Sequence, residues 1–166
     1  MELKILLDNH TDTESLGLFL EKVNGLPLLT ELIRRTDGVM ALIDDYNNDS
    51  ISPEQCFDEY CKDCIFLMPA VKELILNARK NDVKIIPIGS NYNLFAGVSL
   101  DVNTCELTIH HDDYNQATNS EMLGYIKEYL SNNNCDAAII VGARHDEIID
   151  ELVNYADRVN VFTSNF

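Results

Sequence analysis

The stretch Gly38-Val-Met-Ala-Leu-Ile-Asp-Asp-Tyr-Asn-Asn-Asp49 decides how the chain is read. Apolar or small residues run unbroken from Gly38 to Ile43, and polar ones take over at Asp44. A short apolar run bounded by turn residues reads as a strand buried on both faces. Asp44 then stands at the carboxyl end of that strand, the side on which open α/β sheets bind their ligands.

Working outward, the same unit recurs on either side. Leu3 to Asp8 is a short apolar run that reads as a strand. Thr11-Asp-Thr-Glu14 fits a capping box and opens a helix over 12–23, with Leu16, Leu18, Phe19 and Val23 apolar. Asn24-Gly25 ends it. Pro27 suits the first turn of a second helix through Arg35, with Leu28, Leu29, Leu32 and Ile33 on one face. After the strand at 38–44, residues 45–53 read as loop and 54–64 as a polar, irregular stretch.

Ala70 to Arg79 has helical spacing, and Val83 to Ile88 is the next strand. Pro87 lacks an amide hydrogen and so belongs at a sheet edge or a strand end. Residues 95–101 and 105–110 read as short strands, and Asp112 to Gln116 as loop. Thr118-Asn-Ser-Glu121 is a second capping-box pattern, opening a helix to about 131. Asp136-Ala-Ala-Ile-Ile-Val-Gly142 is the cleanest buried strand, and Ala143 to Asp146 the loop after it. A helix over 146–156 and a strand at Arg158 to Thr163 follow.

Strands alternating with helices predict an α/β fold, a three-layer, Rossmann-like sandwich with a mainly parallel sheet. The most continuously apolar strands, 38–44, 83–88 and 136–141, are expected side by side at its centre. The length of 166 residues suits one domain over 1–166, with residues 1–37 as an N-terminal strand–helix extension.

Lys and Arg number 12 against 28 Asp and Glu, a formal charge of −16. Nucleic acid is polyanionic and is bound through clustered Lys and Arg. The densest such cluster is Arg34-Arg35, so a nucleic-acid partner is disfavoured. A small-molecule ligand is the expected partner, and a homo-oligomer is compatible with the composition. No run of about 18 apolar residues occurs, so no membrane span is expected. Met-Glu-Leu-Lys is no export signal. A cytoplasmic location and reduced thiols are therefore expected for the five cysteines. Cys61-Lys-Asp-Cys64 is a CxxC, with Cys56 nearby. A structural zinc normally takes four ligands, and no second pair follows.

On a parallel sheet the strand carboxyl ends share one edge. That edge should carry Asp8-Asn9-His10, Asp44 to Asn47, Gly89-Ser90-Asn91, His110-His111 and Gly142 to Asp146. Asp44 is the expected base or metal ligand, with His111, His145 and Asp146 as helpers. No GxGxxG or Walker loop occurs, and Ser90 lacks the glycines of a nucleophile elbow.

Leu-Ile-Asp44-Asp-Tyr-Asn47-Asn resembles the first-strand motif of isochorismatase-like cysteine hydrolases, apolar-apolar-Asp-x-Gln-Asn-Asp. Pro69 to Ile88 is similar to that family's next helix and strand. Cys135 to Asp146 is similar to its late strand and nucleophile loop. The resemblance spans about 38–163 and implies a Cys attacking a carbonyl, an Asp base and a Lys supporting both. Position by position, Asp44 matches the Asp. The Lys position falls at or near His111 and the Cys position at Ile148, which cannot act as a nucleophile. The resemblance thus implies a divergent member without the thiol mechanism, a binding or assembly protein or a rewired hydrolase at the Asp44 edge. Haloacid-dehalogenase-like phosphatases and nucleases with PIN or NYN domains share the skeleton. They imply the alternative, a metal-dependent phosphatase or nuclease using Asp44, Glu121 and Asp146, a carboxylate set that would suit magnesium or manganese.

Overall fold

Ala138 and Ile140 face one apolar cluster, while Ala137, Ile139 and Val141 face another. Successive residues of a strand point to opposite sides, so a strand buried on both must lie between two layers of helices. The computed structural model of the protein has that architecture. It describes residues 1–8, 12–63, 69–90, 98–101, 106–109 and 111–164. In chain order the strands are β1 (Glu2–Asp8), β2 (Pro27–Arg34), β3 (Lys84–Gly89), β4 (Val98–Asp101), β5 (Glu106–Ile109), β6 (Ala137–Gly142) and β7 (Arg158–Thr163). The helices are α1 (Thr13–Lys22), α2 (Asp37–Asn47), α3 (Pro53–Asp63), α4 (Pro69–Asn77), α5 (His111–Asn133) and α6 (Glu147–Val153).

Five strands form an all-parallel sheet in the order β3-β2-β6-β1-β7, and β4 and β5 form a separate antiparallel pair. Helices α1 to α4 bury Leu16, Phe19, Leu20, Ile43, Tyr46, Cys56, Leu74 and Ile75 on one face. Helices α5 and α6 bury Met122, Ile126, Leu130, Ile148 and Leu152 on the other. The three-layer, Rossmann-like α/β sandwich expected from the alternation of elements is what forms. Among the described residues no helix is long and apolar enough to cross a membrane.

Two neighbouring segments exchange their expected roles. Residues 38–44 are not a strand but part of helix α2. Thr36 caps it, accepting from the Val39 amide at 3.3 Å. Val39, Ile43 and Tyr46 fall on one face, and Asp44 and Asp45 face outward. Residues 27–34 are not a helix but strand β2. The apolar run of 38–43 and that of 28–33 are too short for periodicity to separate helix from strand. The site decides: β2 lies between β3 and β6 and is covered on both faces, whereas α2 has one face in solvent. Consequently 38–44 is absent from the sheet, and β3 forms an edge rather than the centre. Pro87 lies on that edge strand, as its missing amide hydrogen requires.

Smaller corrections have local causes. Helix α1 is capped by Asp12, whose carboxylate accepts from the Ser15 amide at 2.9 Å. The expected cap, Thr11, lies outside the described residues. The stretch 54–64 is largely helix α3, amphipathic rather than irregular, with Cys56 and Tyr60 buried. Helix α5 begins at His111, so 112–116 is helix and the Thr118–Glu121 pattern falls inside it.

The edge strand β3 is finished by a side chain. The Asn47 carboxamide donates to the Ile85 carbonyl at 2.7 Å and accepts from the Ile85 amide at 2.9 Å. Asn47 thereby takes, at Ile85, the hydrogen bonds that a further strand would offer.

Candidate functional site

Strands β1 and β6 are adjacent, with Asp8 opposite Gly142 in the register. From β1 the chain leaves over one face of the sheet through α1; from β6 it leaves over the other through α6. Where connections part in this way the strand ends open a crevice, the usual ligand position in α/β sheets. Asp8, fully buried, stands at that point. Asn9 and His10 lie outside the described residues.

Beside the crevice the carboxyl ends of β6, β2 and β3 lie in a row. Glu31 comes from β2, where the pairing with β3 shifts register between Thr30 and Arg34. Such an irregularity re-aims a side chain. Past the end of β6 comes His145, the last residue of a short 3₁₀ turn over Ala143–His145. Its Nε2 lies 3.6 Å from Glu31 Oε2, and the two side chains are only 12% and 9% exposed.

The imidazole is held from behind. Asn119 on α5 donates through Nδ2 to Glu147 Oε2 at 3.2 Å, which leaves its Oδ1, an acceptor, 2.5 Å from His145 Nδ1. His145 Nδ1 must therefore carry a hydrogen, and Nε2 is the atom that faces Glu31. With Nε2 protonated the contact becomes an ion pair; with Nε2 bare it is a lone pair facing a carboxylate. That is an arrangement for giving and taking protons.

On the β3 side a second chain of contacts forms. Ser90 Oγ donates to Glu121 Oε2, and Tyr125 Oη donates to Glu121 Oε1 at 2.9 Å. The carboxylate pushes the Tyr125 phenol above its ordinary value, because the hydrogen bond is lost if the phenol ionises. The Arg35 guanidinium lies over the Tyr125 ring at 4.6 Å and donates to the Pro87 carbonyl at 3.3 Å. Asn119 and Glu121, two positions apart on α5, point to opposite flanks of the helix, one toward β6 and one toward β3.

The expected site residues separate. Asp44 lies on the exposed side of α2, in the helix layer packed on the other face of the sheet. It is not at a strand end, and this removes the position from which its role was argued. His111 is the first residue of α5; its side chain lies outside the described residues, as does His110. Asp146 is exposed beside α6. His145 alone of the four is placed in the row. Glu121 is in the row too, but on α5 with Ser90 and Tyr125 rather than with Asp44 and Asp146. Among the described residues no three His, Cys, Asp or Glu side chains are grouped to hold a metal ion.

Sequence reasoning missed Glu31 and Asn119. Glu31 interrupts the apolar run Leu28 to Ile33, and a charge inside a buried strand is a signal, but a helix reading puts it on a wet face. Asn119 has no sequence signal of its own. No family model matches the chain, and neither a curated protein nor a solved structure does.

Proposed function

We propose that the protein is a hydrolase acting on small, uncharged or cationic molecules at the carboxyl edge of its sheet, with Glu31 and His145 as the proton-handling pair. The observation that carries this reading is the 3.6 Å approach of two nearly buried, oppositely chargeable groups beside the crevice. Buried titratable pairs in a cleft are candidates for acid–base work. Asn119 and Glu147 support the reading by holding the ring hydrogen on Nδ1, so that Nε2 is the atom left to take up and give a proton. Glu31, Glu121, Glu147 and the buried Asp8 repel anions, which disfavours phosphate esters and nucleic acids as substrates. From the isochorismatase resemblance only the broad class, hydrolysis without a thiol, is retained.

The test is a panel of neutral p-nitrophenyl esters and p-nitroanilides. Turnover by the natural sequence should fall roughly a hundredfold or more in His145→Asn and Glu31→Gln. Asp44→Asn should retain it. Turnover unchanged in His145→Asn, or a panel with none above the His145→Asn background, would refute the reading.

A further inference from the structure

We propose that Ser90 is the nucleophile of this site, with Glu121 as its base, so that the substrates are acyl compounds: esters or amides. The inference rests on the acid–base reading of Glu31 and His145 and adds the group that attacks. Ser90 follows the last residue of β3, and its hydroxyl already donates to the Glu121 carboxylate. A carboxylate that accepts the hydroxyl hydrogen in the resting state is placed to take it as the oxygen attacks. Tyr125 fixes the other oxygen of Glu121, and Arg35 fixes the ring of Tyr125. Tyr125 and Arg35 are positioning residues.

The row of strand ends sets the geometry. Ser90 belongs to β3, Glu31 to β2 and His145 to β6, and the three strands are neighbours. At about 4.8 Å between strands, Ser90 and His145 stand roughly two strand spacings apart, one past β3 and one past β6, with β2 between them. Ser90 Oγ bonds to the acyl carbon and its proton goes to Glu121. The bond to the leaving oxygen or nitrogen breaks, and His145 Nε2 gives that atom a proton. Water then gives a proton to His145 and adds its hydroxide to the acyl carbon. Ser90 leaves as it regains its proton from Glu121. Each group ends as it began.

The experiment uses an alkyl fluorophosphonate. With it the Ser90 Oγ–P bond forms and fluoride leaves, so no acid is needed. The natural sequence should gain one adduct, mapped to Ser90 by peptide mass spectrometry. Labelling should slow about tenfold or more in Glu121→Gln and less in Tyr125→Phe, and proceed normally in Asp44→Asn. His145→Asn should still label while losing turnover of the p-nitroanilides. No adduct on Ser90, or a rate indifferent to Glu121→Gln, overturns the proposal even if turnover depends on His145. An adduct on Ser90 with turnover unaffected by His145→Asn instead overturns the acid–base reading and leaves the nucleophile standing.

Discussion

A Cβ on Gly89 would lie 2.6 Å from the carbonyl oxygen of Glu31 and as close to that of Ile33. The end of β3 is therefore pressed onto the irregular part of β2 backbone that carries the site carboxylate. Backbone atoms cannot move aside as a flexible side chain can. Gly89→Ala should cost about 1–3 kcal/mol in urea unfolding, the usual penalty of overpacking. It should also lower turnover beyond that loss, because yielding at Glu31 disturbs its approach to His145. A variant as stable as the natural protein would show that this contact relaxes freely.

The amide of Asn119 should matter through the imidazole rather than through packing. Asn119→Leu keeps the side chain's size but removes the acceptor at His145 Nδ1 and the donor to Glu147. The expected result is turnover reduced by about tenfold or more, with nitrogen NMR of the neutral His145 ring showing a mixture of tautomers in place of one. A single unchanged Nδ1–H tautomer in the variant would contradict the arrangement.

Alkali should weaken the fold through Cys56. Burial pushes this thiol from its ordinary value of 9.0 up to about 11. The native state holds the proton more tightly than the unfolded state, so stability is intact below pH 9, falls as pH rises through the interval, and levels off above about 11. Two units correspond to about 3 kcal/mol. Denaturant unfolding at several alkaline pH values should give a shallower decline in Cys56→Ala than in the natural sequence. Parallel slopes would exclude the thiol as the source.

The alternation of strands and helices, and with it the fold class, was legible in the sequence; the identity of two segments and the order of strands across the sheet were not. Ala137 to Gly142 and Leu3 to Asp8 announce themselves because nothing but burial on both sides accommodates them. Leu28 to Ile33 and Val39 to Ile43 are equally short and apolar, and only their neighbours decide between them: β2 is flanked by two strands, α2 by one layer and water. Reading the first as helix and the second as strand puts Asp44, rather than Glu31, in the sheet. His145 stands past the end of β6, where expected, because β6 is the least ambiguous strand. Asn119 lies some 26 residues from His145 in the chain, and a contact of that separation is a product of packing with no local pattern to foretell it.

The pairing of the Asn47 carboxamide with Ile85 bears on how copies of this protein could ever join. At Ile85 the β3 margin of the sheet is already paired, while among the described residues β7 is the last strand at the opposite margin. Strand addition is thus less obstructed at β7 than at β3. Two chains meeting β7 to β7 would pair those margins with each other, whereas a sheet equally open at both margins could add chain after chain into a fibre.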